Sequence, residues 1–153
     1  MPKASRFRFR AGVTTTLHER ITQSAAETEA AGEELGRRLN AGDIVLLIGE
    51  LGAGKTTFVR GVARGTESAA PVASPTFQLV RVYPGRVQLA HVDLYRIEDV
   101  AELASLGLEE LADDGAVIVE WGGRLDIEDA AVIDIEHLGG DRRRLRTSHD
   151  LSH

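Results

Sequence analysis

The run of nine residues from Gly49 to Thr57 has the residue types and spacing of a phosphate-binding loop. It reads Gly49-Glu50-Leu51-Gly52-Ala53-Gly54-Lys55-Thr56-Thr57, which fits the pattern G-x-x-x-x-G-K-[ST]. Glycines let such a backbone wrap an anion, and its N–H groups and the N-terminus of the following helix point at phosphate oxygens. Lys55 is expected to bridge the outer phosphates and Thr56 to offer its hydroxyl to a metal ion. The alternative is a plain glycine turn between a strand and a helix.

The rarity of lysine in this chain supports the assignment of the phosphate-binding loop. The chain contains sixteen arginines but only two lysines, Lys3 and Lys55. A compact ammonium inside the loop, in a chain that otherwise uses arginine, indicates a task that a planar guanidinium cannot perform. Nucleotide binding is therefore the starting hypothesis.

Two carboxylates follow apolar segments that are typical of buried strands. Glu120 follows Ala116-Val117-Ile118-Val119, and Asp93 follows Leu89-Ala90-His91-Val92. Because magnesium prefers oxygen ligands and the attacking water must be oriented, acidic residues at strand ends beside the loop are candidates for both tasks. The alternatives are a solvated carboxylate for Glu120 and the cap of a following turn for Asp93.

Other polar and aromatic residues carry weaker signals. Thr76, in Ser74-Pro75-Thr76-Phe77, is placed to act as a switch element toward the outer phosphate or metal, although an ST-turn explains it equally well. Trp121 is the only tryptophan, and its sequence position is compatible with core packing or with a contact to a nucleotide or partner. His91 is interpreted as a hydrogen-bonded structural histidine in preference to a base. The triplet from Arg142 to Arg144 is expected on a solvated strand.

Composition limits the class of protein. The chain has 153 residues, 42% apolar and 27% charged, which predicts one globular domain, and no apolar run reaches the length of a membrane span. There is no cysteine and no secretory-type leader, so a cytoplasmic protein without membrane attachment is expected. A net charge of −6 argues against strong direct nucleic-acid binding.

The termini differ from the rest of the chain. The first eighteen residues carry Lys3, Arg6, Arg8 and Arg10 but no acidic residue. We expect a basic, flexible arm over residues 1–12, with a docking arm for an acidic partner as the alternative, and a flexible tail over residues 149–153. The phosphate-loop domain is then expected to cover residues 13–148.

Periodicity and turn residues predict the order of the elements. A capping box at Ser24 starts a helix that runs to Asn40, and the phosphate loop lies between an apolar strand and a helix from Lys55 to Arg64. Hairpins are expected around Pro84-Gly85 and Gly139-Gly140, with short helices on either side of Gly107. Alternating βα units together with hairpins predict a single α/β domain with a mixed, phosphate-loop NTPase-like sheet and flanking helices.

Five motifs in this order resemble the TsaE family, also called YjeE, over about residues 14–147. They are the phosphate loop, Ser74-Pro75-Thr76-Phe77, His91-Val92-Asp93-Leu94-Tyr95-Arg96, Gly107-Leu108-Glu109-Glu110 and Val119-Glu120-Trp121. The resemblance implies a small bacterial ATPase that acts with the proteins TsaD and TsaB to form the threonylcarbamoyl modification on adenosine next to the anticodon of certain tRNAs. It also implies that ATP binds with Mg²⁺ and that hydrolysis resets the partner complex between rounds.

The resemblance assigns roles to individual positions. Lys55 is similar to the phosphate-loop lysine, Thr56 to the magnesium-binding hydroxyl and Thr76 to the switch-like threonine. Asp93 matches the acidic residue of H-x-D-L-Y-R, and Glu120 with Trp121 matches an E-W pair whose glutamate is linked to magnesium. Glu50 replaces a commoner aspartate, and Gly123 stands near the place of another acidic residue.

Two other functions fit part of the same residues. A small-molecule phosphate-loop kinase shares the loop and an acidic strand end, and the triplet from Arg142 to Arg144 is a candidate lid for it. It would need an acceptor pocket and a mobile arginine lid of its own, for which little chain is left. A non-catalytic nucleotide sensor that gates a partner would use the same site. A guanine-nucleotide switch is disfavoured because the sequence contains no N-K-x-D run.

Overall fold

A computed structural model describes residues 8–9, 18–49, 54–69, 72, 80–94, 107–120, 125–126 and 130–147. The helices among these residues are α1 (Ala25–Arg38), α2 (Lys55–Gly65) and α3 (Leu108–Asp114). The strands are β1 (Arg8–Phe9), β2 (His18–Thr22), β3 (Ile44–Ile48), β4 (Val80–Tyr83), β5 (Leu89–Asp93), β6 (Ala116–Glu120), β7 (Leu125–Asp126), β8 (Ala131–Gly139) and β9 (Arg142–Thr147).

Seven strands form one mixed sheet, which confirms the predicted fold class. Their order is β2-β9-β8-β3-β6-β5-β4. The central strands β8, β3, β6 and β5 are parallel, whereas β9 and β2 at one edge and β4 at the other are antiparallel to their neighbours. The two predicted hairpins are β4–β5 and β8–β9. The strand that carries the phosphate loop, β3, therefore lies in the middle of the sheet.

The structure describes two residues of the N-terminal arm, and they form a short strand. Arg8–Phe9 pairs antiparallel with Leu125–Asp126 in a separate two-stranded sheet. This part of the arm that the sequence predicted to be flexible therefore has a strand partner. Three predicted segments lie outside the described residues: the rest of the arm, the helix expected before Gly107, and residues 149–153.

Helix α1 begins where the capping box predicts. The Ser24 hydroxyl accepts a hydrogen bond from the Glu27 amide at 3.1 Å, and the Glu27 carboxylate accepts one from the Gln23 amide at 3.2 Å. The first bond satisfies a donor that the first turn of a helix leaves without a partner, and the second joins the Glu27 side chain to the residue before the cap. The helix ends at Arg38, slightly before the predicted end at Asn40.

Helices α1 and α2 pack backbone to backbone through paired glycines. A β-carbon on Gly32 or Gly36 would come within 2.1 or 2.2 Å of a carbonyl oxygen of α2. A β-carbon on Gly61 or Gly65 would come within 1.9 or 2.3 Å of one of α1. Any larger side chain at these four positions would push the helices apart. Since α2 begins at Lys55, this packing also fixes the position of the lysine.

The sheet is covered on both faces, which explains its continuous apolar strands. On one face Val45 and Leu47 pack with Phe58 and Val62 of α2. On the other face Ile44 and Leu46 pack with Leu108 of α3. Side chains of β3 are thus buried on both sides.

Candidate functional site

The carboxyl ends of β3, β5 and β6 meet at one edge of the sheet. Strand pairing places Asp93 beside Glu120 and Glu120 beside Leu47, one residue before the end of β3. Gly49 follows β3 directly, and α2 begins at Lys55. Ligands of open α/β sheets bind outside the carboxyl ends of the strands. The structure therefore brings the predicted residues Gly49, Lys55, Asp93 and Glu120 to the edge where a ligand is expected.

Lys55 is a buried cation at the start of α2. Its residue is 6% exposed, and its ammonium donates a hydrogen bond to the Gly49 carbonyl at 2.7 Å. Burial lowers the pKa of Lys55, and the negative charges of Glu120 and Asp93 oppose that shift. The ammonium is thus removed from water and held between the end of β3 and two carboxylates. A desolvated cation in this position favours an anionic ligand.

Gly54 forms the N-cap of α2 in a left-handed conformation. Its φ is +99°, a region that residues with a β-carbon rarely adopt, so glycine is required by the backbone. The first turn of α2 contains no acidic residue, and Thr56 and Thr57 lie there partly buried. The positive end of the helix dipole is therefore not neutralised by an acidic side chain of that turn.

Glu120 is held by a buried histidine. The His91 Nε2 donates a hydrogen bond to the Glu120 Oε2 at 2.9 Å, and the two residues are 0% and 4% exposed. His91 Nδ1 is buried without a hydrogen-bond partner, and the Tyr83 ring lies nearby at 6.1 Å between ring centroids. The pair supports the structural interpretation of His91. It also fixes one oxygen of the carboxylate that the sequence predicts to bind metal.

Several predicted site residues lie outside the described part of the chain. They are Glu50, Leu51, Gly52, Ala53, Thr76 and Trp121, whose roles stay predictions. Within the described residues, no three His, Asp or Glu side chains are grouped so that they could hold a metal ion. No helix there is long and apolar enough to cross a membrane.

Arg143 lies next to the loop residue Gly54, a contact that the sequence did not predict. It lies on β9, and a β-carbon added to Gly54 would meet its Nε at 3.0 Å. The sequence predicted a solvated strand for the triplet of arginines, with a lid as its role in the kinase alternative, and the outer Arg142 is indeed exposed. No local pattern marks the middle arginine, since its position depends on how β9 pairs across the sheet.

The mixed sheet with G-x-x-x-x-G-K-T between β3 and α2 places the chain among the α/β proteins that carry a phosphate-loop motif. A family model described as "Threonylcarbamoyl adenosine biosynthesis protein TsaE" matches residues 22–145. The chain belongs to the TsaE family.

Relatives in distant bacteria have the same description. The tRNA threonylcarbamoyladenosine biosynthesis protein TsaE of Mycobacterium tuberculosis is 41% identical over 133 residues, which cover 80% of this chain and 76% of the relative. The protein of that name from Aquifex aeolicus is 36% identical, over 85% of this chain and 95% of its own. Among solved structures, the crystal structure of Bacillus subtilis YdiB is similar with a TM-score of 0.70 and 29% identity, covering 90% of this chain and 88% of that one.

Proposed function

We propose that this protein is a magnesium-dependent ATPase that serves the biosynthesis of threonylcarbamoyladenosine in tRNA. Membership of the TsaE family supports the role in this biosynthesis, because the family and the relatives are named for it. The ATPase activity is supported by the site. The observation that carries it is Lys55, a buried ammonium beside two carboxylates at the start of a helix.

The residues present fit a nucleoside triphosphate. Its phosphates would be held by the loop amides, the N-terminus of α2 and the Lys55 ammonium, which together supply positive charge. The lowered pKa of Lys55 supports this fit, because an anion beside the ammonium offsets the cost of its burial. Gly54 lets the backbone come close to the ligand, since no side chain extends from it.

The acidic residues fit a magnesium ion. Thr56 and Glu120 are the proposed protein groups for it, and the ion when bound would neutralise charge on the outer phosphates. Magnesium sites at phosphates use few protein ligands, so one hydroxyl and one carboxylate suffice. The His91 hydrogen bond holds Glu120 in a single orientation. Asp93, in register beside Glu120, is the second candidate to orient the water that attacks the phosphate.

Protein partners are proposed to receive the output of the site. A 153-residue chain with a net charge of −6 has little surface suited to tRNA, so TsaD and TsaB are the proposed intermediaries. A nucleotide can change such an association only if the complex prefers one nucleotide state. Thr76 and Trp121 are the predicted residues near that contact, and the cytoplasm is the predicted location.

The decisive measurement is phosphate release from Mg-ATP by the purified protein, alone and after addition of a TsaD–TsaB complex. We expect slow release alone and faster release with the complex. Pull-down with non-hydrolysable ATP, ADP and no nucleotide should show that the complex prefers one state.

Two results would contradict the proposal. ATP binding without phosphate release in either condition would indicate a non-catalytic nucleotide sensor. Equal association with the TsaD–TsaB complex in all three nucleotide states would show that the nucleotide does not control the association. Lys55→Ala is the control for contaminating ATPases, because it removes the essential cation and leaves the surface unchanged.

A further inference from the structure

A buried imidazole binds the Glu120 carboxylate from the interior of the sheet. His91 stands opposite Ile118, and Asp93 stands opposite Glu120, so His91 lies nearer the amino ends of the parallel strands than Glu120 does. The Nε2 of His91 lies 2.9 Å from the Oε2 of Glu120. The hydrogen bond therefore reaches the carboxylate from the side away from the ligand edge, and Glu120 Oε1 takes no part in it.

His91 and Glu120 lie on the face of the sheet that α2 covers. Side chains alternate between the two faces along a strand. Leu89 and Ile118, which precede them by two residues each, belong to the core cluster that α2 helps to form. Helix α2 begins at Lys55, and the negative charge of Glu120 acts on its ammonium. The imidazole, the carboxylate and the ammonium thus share one face of the sheet.

The surroundings of His91 determine which ring nitrogen carries the proton. Its Nδ1 is buried and has no hydrogen-bond partner among the described residues. The cross-strand neighbour of His91 is Arg81, a residue type that donates hydrogen bonds and accepts none. A proton on Nδ1 would be buried without an acceptor, a cost that the other tautomer avoids. We therefore assign the proton to Nε2, which donates it to the ionised Glu120.

A carboxylate held in this way is oriented before a ligand arrives. A glutamate side chain has several rotatable bonds, and ordering them costs conformational entropy. The His91 hydrogen bond orders one Glu120 oxygen in the folded protein, so less ordering is left for the step in which the carboxylate acts. Removing such a hydrogen bond from a metal-binding carboxylate typically lowers metal affinity or activity by about 10- to 100-fold.

We propose that His91 is a positioning residue, which acts through its Nε2–H and orients Glu120 for the magnesium-dependent hydrolysis of ATP. This inference rests on the proposed function. It differs from a role in packing alone, because it requires an N–H donor at one particular place beside Glu120. The place of the donor should therefore matter more to the reaction than the size of the side chain at position 91.

His91→Gln and His91→Asn test the proposal, because both introduce a neutral amide and differ in where its N–H stands. The longer amide places its nitrogen near the position of the imidazole Nε2, and the shorter one near that of Nδ1. We expect His91→Gln to keep kcat, and the affinity for Mn²⁺ in the presence of non-hydrolysable ATP, within about threefold of wild type. His91→Asn should lose about tenfold in both. Phosphate release measures kcat, and the EPR signal of free Mn²⁺ measures the affinity.

A double-mutant comparison tests whether His91 acts through Glu120. Glu120→Gln already removes the carboxylate that the hydrogen bond orients, so adding His91→Asn should lower kcat by less than about twofold. An independent role of His91 would give the same tenfold loss in both backgrounds. His137→Asn, at an exposed histidine outside the pair, is the control and should change kcat and Mn²⁺ affinity by less than about twofold.

The outcomes separate this inference from the proposed function. Equal kcat and equal Mn²⁺ affinity for His91→Gln and His91→Asn would overturn it, as would a tenfold loss added to that of Glu120→Gln. If His91→Asn does not fold, which urea denaturation would show, His91→Gln decides, and a folded His91→Gln that loses about tenfold in kcat overturns the inference. Failure of the wild type to bind nucleotide or release phosphate would instead overturn the proposed function, and this inference with it.

Discussion

The ion pairs on the two sides of β3 differ in their exposure to water. On the β6–β5 side, His91 and Glu120 form a pair that is nearly inaccessible to water, at the end of parallel strands. On the β8–β9–β2 side, Arg144 contacts Glu136 at 2.7 Å, with 27% and 49% of the side chains exposed. Arg146 and Glu19 extend that network at 3.4 Å. The buried pair on the first side has a single partner for each group, whereas the charged groups on the second side have more than one partner.

The difference follows from solvation. Exposed ion pairs contribute about 0 to 1 kcal/mol each, because water and salt screen them. Removing one partner of a buried pair costs more, since the other is left without compensation. We therefore expect function and stability to be sensitive on the β6–β5 side and tolerant among the exposed ion pairs.

The largest effect is expected at Lys55, which lies between the two sides. Lys55→Ala should lower ATP turnover by at least about 100-fold, because a preorganised cation at the developing charge is lost. Lys55→Arg should also fail, since the planar guanidinium does not fit a site for a compact ammonium. Arg60→Ala, on the exposed face of the same helix, is the control. Wild-type turnover by Lys55→Ala would show that the loop assignment is wrong.

Glu120→Gln tests whether the buried carboxylate acts in the reaction. The amide keeps the size and an acceptor for His91, so we expect turnover to fall about 100-fold, with ATP affinity changing less than about threefold. Phosphate release and calorimetry measure the two quantities. The matched control is Glu136→Gln, an exposed glutamate of the other side. Equally large losses of affinity and stability would indicate a structural residue.

His91→Ala should reduce stability. It leaves the Glu120 carboxylate buried without its hydrogen-bond donor, and we expect a loss of about 2 to 4 kcal/mol in the free energy of unfolding. Urea denaturation measures this loss. His137→Ala, an exposed histidine of the β8–β9 hairpin, should cost less than about 1 kcal/mol. Similar costs for both histidines would remove the contrast between the two sides.

Arg144→Ala tests the tolerance of the exposed network. Because Arg146 remains beside Glu136 and Glu19, we expect a loss below about 1 kcal/mol that shrinks further at 1 M salt. Denaturation at low and high salt provides the comparison. A loss of several kcal/mol that salt does not change would show that this network behaves like the buried pair.

The smallest effect is expected at Asp134, and its size depends on pH. Partial burial raises the pKa of Asp134, and the charge of Arg146 opposes this shift. The folded state thus disfavours the ionised form, a cost that is absent below about pH 3.9, the ordinary value, and appears as pH rises through the raised pKa. Asp134→Asn should therefore raise the melting temperature slightly at pH 7 but not at pH 3. A lower melting temperature at pH 7 would mean that attraction to Arg146 outweighs burial.

Local sequence determined the elements that carry the site. The phosphate-loop pattern, the capping box at Ser24 and the turns at Pro84-Gly85 and Gly139-Gly140 each depend on neighbouring residues, so the strand before the loop, α1 and both hairpins could be predicted. The motifs also identified the family. Carboxylates that follow apolar strands indicated that Glu120 and Asp93 belong at one edge, because parallel strands end together.

Only the tertiary structure decided which groups meet. The insertion of β6 between β3 and β5 sets Glu120 beside Asp93 and within hydrogen-bond distance of His91. Four glycines let the backbones of α1 and α2 come into contact, and this contact fixes the position of α2 and of Lys55 at its start. No local sequence pattern distinguishes these glycines from glycines in turns. Arg143 reaches Gly54 only because β9 pairs with β8. These contacts join residues far apart in the chain, and their energies arise from burial and packing that a local pattern does not contain.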